Sequence, residues 1–353
     1  MNVPGEQEQA SASALTPITV LYSLVPPDGR TKYVDQLVNG VPEAVTMRFF
    51  SWRAALRGRY DVFHMHWPEL TLRGSNPVRR FLRRRAADLF VALLTARRVP
   101  MVRTVHNLTP HEQGSRAENR TLARLNRHTD LFIRLNPTTD IPFDALVVTI
   151  LHGHYRDQFA KHPMPQARPG RILYFGIIRP YKGVSQLMSV FAGIPGGDLD
   201  LRIVGSPSTG QREIVEAASE KDARITSRLT FVDDDELVAE IGRAELVVLP
   251  YREMHNSGSI LVAMSLGRPV LAPSTPANAA LSDEVGPGWI IQYDGELTPD
   301  VLLNAVEKLR ATPPTEARPR LDGRDWKTLG VEHHTAYLHA IAVARGVGRD
   351  GRR

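Results

Sequence analysis

The sequence predicts an α/β protein built from two doubly wound, Rossmann-like domains that face a central cleft. Three observations lead there. Short apolar runs rich in strand formers alternate with amphipathic helical stretches along most of the chain, which implies parallel sheets covered by helices. The alternation is interrupted at the polar, Pro-rich stretch 161–170 (KHPMPQARPG) and resumes directly after it. A length of 353 residues is enough for two domains of ordinary size.

Taken in order, residues 1–16 (MNVPGEQEQASASALT) have neither a basic start nor an apolar core. They do not read as a secretory signal and are expected to form a disordered tail. Strands are expected at 18–22, 45–50, 60–66, 101–106, 131–135 and 146–150, with a Pro-Pro-Asp-Gly turn at 26–29 and a helix at 33–38. Between the third and fourth strands a helix over 76–98 carries Val78, Leu82, Ala86, Leu89 and Leu93 on one face. Arg80, Arg83, Arg84 and Arg98 fall largely on the other. Such a helix either packs on its own domain with a solvated cationic face or rests on an anionic membrane surface. After the linker, strands are expected at 171–175, 199–204, 229–232, 246–249, 269–272 and 289–292. An irregular Pro/Gly-rich stretch at 313–325 precedes a last helix, 326–345, carrying Trp326, Leu329, His333, Tyr337 and Ile341.

Composition narrows the class. The hydrophobic fraction of 42% and charged fraction of 23% are those of a soluble globular protein. The absence of cysteine excludes disulfides, thiolate zinc sites and a Cys nucleophile, and fits a reducing compartment. No apolar run approaches the ~20 residues that cross a bilayer. A cytoplasmic protein, or one peripheral on the inner face of the cell membrane, is expected. The net charge of +6 favours anionic partners. Nucleic acid is not expected, because no binding motif appears and aromatics are not interleaved with the basic run.

The chemistry is expected at strand ends. The run 171–175 is broken by Gly176, and Val184, Leu187, Met188 and Phe191 then recur at helical spacing. The intervening loop holds Arg179, Lys182 and Gly183. A helix N-terminus with two long cations suits a diphosphate; the plainer reading is a βα connection with solvated cations. Glycine-rich nucleotide fingerprints of the G-x-G-x-x-G and GxxxxGK[ST] types are absent. Three further clusters fall at strand ends: His64–Met65–His66–Trp67–Pro68–Glu69, then Thr104–Val105–His106–Asn107 with His111 and Glu112, then Asn256–Ser257–Gly258–Ser259. The last could be a plain N-cap or a second phosphate site facing the first. His64 and His66 point the same way but lack a third ligand at standard spacing, so no metal is expected. Asp233–Asp234–Asp235 reads as a helix N-cap with dipole-matched acids rather than a metal triplet.

These segments together resemble a family. FGIIRPYKG, LRIVGSP, FVDDDELVAEIGRAELVVLPYR and NSGSILVAMSLGRPVLAP look, in this order, like the donor half of bacterial GT-B glycosyltransferases. HMHWPE, TVHNLTPHE and LHGHY are similar to enzymes that build exopolysaccharide or lipid-linked glycans, including the β-mannosyltransferases of xanthan-like polymers. The resemblance covers roughly residues 18–337. It implies a C-terminal domain (161–334) that binds a nucleotide sugar, with Arg179 and Lys182 on the diphosphate and Asn256, Ser257, Gly258 and Ser259 on phosphate or sugar. It implies an N-terminal domain (17–160) that binds the acceptor, with His66, Trp67 and Asn107 as contacts, and a C-terminal helix (about 335–353) crossing back onto it. GDP-mannose is the donor it favours, with UDP-sugars next, and no cofactor or metal. The chain departs from the pattern of many retaining members, which carry two Glu spaced by seven residues; here Met254 and Val262 stand in those places.

An inverting transfer needs a base for the acceptor hydroxyl. Glu112 and Glu69 are the candidates, with His106 an alternative base or a sugar-orienting donor. A non-catalytic nucleotide-sugar or glycan-binding protein of the same architecture is the competing reading. A sugar-nucleotide epimerase would show a glycine fingerprint and a Tyr-x-x-x-Lys pair, and neither is found.

Overall fold

A computed structural model describes residues 15–29, 31–74, 76–107, 114–251 and 256–346. The described residues form two parallel six-stranded sheets with flanking helices. The first comprises β1 (Ile18–Tyr22), β2 (Val45–Phe49), β3 (Val62–Met65), β4 (Met101–Val105), β5 (Leu131–Arg134) and β6 (Leu146–Thr149), in the order β2-β1-β3-β4-β5-β6. The second comprises β7 (Arg171–Phe175), β8 (Asp200–Val204), β9 (Ile225–Arg228), β10 (Leu246–Val248), β11 (Val270–Pro273) and β12 (Ile290–Tyr293), in the order β12-β11-β10-β7-β8-β9. The two doubly wound units predicted from sequence are therefore present. The central strands are buried on both faces, which is why they read as continuous apolar runs rather than alternating ones. In each sheet the winding reverses once, between β1 and β3 and between β7 and β10. Ligands of such sheets bind beyond the carboxyl ends of the strands at that reversal.

The last helix, Trp326–Ala344, returns to the first sheet: Trp326, Leu329, Ala336, Tyr337 and Ala340 share a core with Val20, Val62 and Val102. It can lie that close because Gly330 and Gly40 meet without side chains; a Cβ on Gly330 would sit 1.9 Å from the Gly40 carbonyl oxygen.

Three expectations need correction. The strand expected at 229–232 lies earlier, at Ile225–Arg228. As an edge strand its residues alternate between buried and exposed, so it lacks the apolar signature of its neighbours. Leu229 and Val232 are buried from a loop instead. In the basic helix Pro77–Arg97 the buried residues are Ala87, Phe90, Val91 and Leu94. The stripe read from sequence points outward, with Val78 66%, Leu82 58% and Leu89 60% exposed. The helix has two apolar faces, and periodicity finds the stripe without telling which one the core takes. Finally, Asp233 precedes the helix Asp234–Arg243 but makes no side-chain cap, while Asp234 reaches out of its own helix to Lys32 and Gln158. Among the described residues no helix is long and apolar enough to cross a membrane.

Candidate functional site

The carboxyl ends of the two sheets meet, and Asn256 is one of the side chains that join them. Asn256 donates from Nδ2 to the His106 carbonyl (2.9 Å) and accepts at Oδ1 from Asn136 Nδ2 (2.6 Å). Its polar atoms are thus engaged by the first sheet, which leaves Asn256 as a tie between halves rather than the phosphate donor expected from sequence. Beside it, a cavity of about 360 Å³ lies between the halves, lined among others by Asn136, His152, Ser257, Glu284 and Arg324. Arg324 donates from Nε and Nη2 to the two carboxylate oxygens of Glu284 and from Nη1 to the His152 carbonyl at 2.7 Å, closing the floor. A second tie joins Lys32 to Asp234, which also accepts from Gln158 at 2.6 Å.

On the C-terminal side, β7 ends at Phe175 and the chain turns through Gly176 and a 3-10 turn, Pro180–Lys182, into the helix Val184–Ala192. Gly183 makes the turn possible: its φ is +69°, and a Cβ there would sit 2.1 Å from the Pro250 carbonyl oxygen. Lys182 Nζ lies 4.8 Å above the Tyr251 ring and 3.3 Å from its hydroxyl. The Tyr251 hydroxyl donates to Ser259 Oγ at 3.1 Å. A Cβ built on Gly176 would stand 3.5 Å from Ser259 Oγ and 3.7 Å from Lys182 Nζ. So β7, β10 and the helix Gly258–Ser265 deliver one ammonium, two hydroxyls and a bare glycine backbone to one corner. Ser257 is the N-cap residue of that helix, without a side-chain cap bond. Gly258 faces His152 and Tyr155 of the other half. Arg179 begins the 3-10 turn and is half-buried. Tyr251 carries no sequence motif of its own; its place directly after the Leu-Pro that follows β10 is the available signal.

On the N-terminal side, β3 and β4 deliver a histidine cluster. His64 is fully buried, its Nδ1 bonded to the Tyr337 hydroxyl (2.7 Å) and its Nε2 to Thr104 Oγ1 (2.8 Å). Tyr337 in turn shares a 2.8 Å bond with the Tyr22 hydroxyl. His66 is also fully buried, so the acceptor contact expected of it is closed; its Nδ1 lies 3.0 Å from His106 Nε2. His106 is half-buried, stacked on Trp67 (centroids 4.2 Å apart) and met edge-on by Tyr33. With Glu69, Asn107 and Arg103, His106 and Trp67 line a narrow crevice at this edge. Glu112, His111 and Met254 lie outside the described residues. Arg103 had no sequence signal, since it sits inside a strand; burial pushes it down to about 10, so it stays cationic beside Glu69.

Burial lowers every imidazole of the cluster. His66 is pushed down to about 3 and His152 and His333 to about 4, while His64 and His106 lie well below the ordinary value. All five are neutral at pH 7. The sign of the resulting pH dependence follows: below pH 6.5 the unfolded chain binds protons that the folded one refuses, so stability is full above that pH and falls with acidity. His66, His152 and His333 are each expected to cost about 2 kcal/mol between pH 7 and pH 5. Tm measured across that range should drop steeply, and a flat Tm would contradict the neutral cluster. Among the described residues no group of three or more His, Cys, Asp or Glu could hold a metal ion. A further cavity, of about 620 Å³, lies at the amino ends of the first sheet's strands beside Arg98, Met101 and Asp130, where strands begin rather than end.

Comparison with known proteins gives consistent findings. A family model described as Glycosyl transferases group 1 matches residues 169–312. The chain is 45% identical over 344 residues to the GDP-mannose:glycolipid 4-beta-D-mannosyltransferase of Xanthomonas campestris pv. campestris, covering 96% of each chain. Among solved structures it is similar to Anabaena HepE in complex with UDP (TM-score 0.60, 13% identity, 94% of this chain and 99% of that one). It is also similar to the apo form of the lipopolysaccharide outer core galactosyltransferase WaaB (TM-score 0.52, 14% identity, 94% and 99%). These last two establish the GT-B fold.

Proposed function

The chain belongs to the group 1 glycosyl transferases, and from that premise we propose that it moves mannose from GDP-mannose to a glycolipid acceptor, with inversion and without a metal ion. The carrying observation is the Asn256 tie, which holds the Lys182–Tyr251–Ser259 corner and the Glu69–His106 crevice to one cleft. Donor and acceptor are taken from the Xanthomonas relative. In this reading residues 161–334 hold the donor, and residues 17–160 with the crossing helix hold the acceptor. The diphosphate lies at the corner: Lys182, with Arg179, supplies positive charge, and the N–H groups opening the helices at Val184 and Gly258 supply donors. The guanosine extends toward a cavity of about 390 Å³ lined by Gln186, Tyr251, Pro273, Tyr293 and Glu296.

GDP-mannose carries its sugar in the α configuration, so a β product requires inversion. The acceptor hydroxyl oxygen bonds to the anomeric carbon as the bond from that carbon to the diphosphate oxygen breaks. The bonding pair leaves with GDP, and the hydroxyl proton passes to Glu69, the described carboxylate of the crevice. Retention by the two-Glu pattern is disfavoured by Val262, an apolar residue that is itself buried.

The acceptor's lipid suggests a use for the outward stripe of the helix Pro77–Arg97. Val78, Phe81, Leu82 and Leu89 are exposed, and Arg85 lies over the Phe81 ring at 5.7 Å, its charge reaching past an apolar body. Arg80 is exposed; Arg84 is half-buried, and Arg83 is turned inward onto the Arg73 carbonyl. An apolar stripe edged by arginines is the composition of a helix lying in a membrane interface, so the protein is peripheral on the leaflet that holds its acceptor. Labelled mannose is expected to pass from GDP-mannose, and not from UDP-glucose, into a lipid extract in the presence of EDTA. A Phe81→Glu/Leu82→Glu double variant should lose anionic-vesicle binding at least about tenfold yet bind GDP-mannose normally. Transfer from UDP-glucose alone, or vesicle binding untouched by the double variant, would overturn the respective assignment.

A further inference from the structure

His66 carries no exposed surface, yet it is wired to a residue that does. Its ring is enclosed by Tyr22, Tyr33, His64, Trp67 and His106. Its main-chain N–H is held by Ser23 Oγ at 2.7 Å. Nδ1 is 3.0 Å from His106 Nε2, and Nε2 is buried with no hydrogen-bond partner among the described residues.

Only one proton can occupy the contact between the two rings. If it belongs to His106 Nε2, then His66 must be bare at Nδ1 and carry its own proton on Nε2, a buried N–H with nothing to receive it. If it belongs to His66 Nδ1, then the unpartnered Nε2 is a lone pair. Orphaned buried N–H groups are the rarer of the two and cost the full desolvation of a donor. A doubly protonated ring is ruled out by the surroundings. The titratable groups packed around the pair are Tyr22, Tyr33, His64, His152, His333 and Arg103, none of them anionic, while the one carboxylate of the crevice among the described residues, Glu69, acts on Arg103 rather than on either ring.

We propose that His66 is a positioning residue: it donates its Nδ1 proton to His106 Nε2 and so holds His106 in the tautomer protonated on Nδ1. His106 Nε2 is then an acceptor already satisfied, and Nδ1–H is the group the ring can offer to a ligand in the crevice that it lines. His106 therefore binds a sugar oxygen as a hydrogen-bond donor and does not take the acceptor's proton. The substrate in this statement rests on the glycosyl-transfer reading; the tautomer does not.

Ring nitrogen NMR on the full-length chain labelled with ¹⁵N-histidine tests it without donor or acceptor. The His106 signals, assigned by their loss in His106→Asn, should show protonated Nδ1 and bare Nε2. Protonation at Nε2 in the wild type overturns the proposal, whatever the activity. In His66→Leu a fraction of His106 should move to the Nε2-protonated form, and kcat should fall about tenfold, the worth of one hydrogen bond, at unchanged affinity for GDP-mannose. His66→Asn, whose amide N–H replaces Nδ1–H, should restore most of that loss. Equal losses in the Leu and Asn variants, both with wild-type Tm, would contradict the role.

Discussion

Glu69→Gln is expected to lower kcat by about 10²–10⁴-fold, the usual contribution of a positioned general base, while affinity for GDP-mannose stays within about threefold of wild type. The amide keeps the shape of the carboxylate and its place at the start of the short helix Pro68–Leu72 but cannot accept a proton. His106 cannot substitute, because burial keeps its basicity far below the ordinary imidazole value. The parallel variant Glu112→Gln separates the two carboxylates named from sequence. A large loss there with normal turnover in Glu69→Gln would move the base to Glu112, and near-normal rates in both would remove carboxylate base catalysis.

Lys182→Ala is expected to have the second large effect. The ammonium stands over Tyr251 and within reach of the Gly176 backbone, where no side chain obstructs an anion. Removing a charge-assisted contact of this kind costs about 1.5–3 kcal/mol, or roughly 10–100-fold in donor affinity. Because negative charge on the diphosphate grows as the glycosidic bond breaks, a further loss in kcat approaching 10²-fold is expected. Lys182→Arg should recover part of both. Donor affinity unchanged in Lys182→Ala would show that the diphosphate lies elsewhere.

Much of this arrangement was legible in the sequence because α/β units announce themselves: buried parallel strands are apolar throughout, and ligands collect where they end. That rule alone singled out the loops at Lys182, Ser259, Glu69 and His106. It failed where the signal is three-dimensional. The edge strand Ile225–Arg228 is half-exposed and so lacks a continuous apolar run. The helix Pro77–Arg97 has two apolar stripes, and only packing reveals that Phe90 and Leu94 are inside while Leu82 and Leu89 are outside. His66 and His106 read alike as strand-end imidazoles, yet one is sealed and the other lines the crevice. Asn256 looked like a phosphate ligand, and its partners, Asn136 and the His106 carbonyl, are more than a hundred residues away in sequence. Tyr337 reaches His64 from the opposite end of the chain, which no local pattern encodes.

The central claim is a division of labour across one cleft, with the donor diphosphate gripped from the C-terminal half and the acceptor activated from the N-terminal half. Calorimetric titration of GDP-mannose into wild type, Lys182→Ala and Glu69→Gln, run beside turnover of each, measures it most directly. The account predicts lost turnover in both variants but weakened binding only in Lys182→Ala. Binding weakened equally in both, or in Glu69→Gln alone, would contradict it.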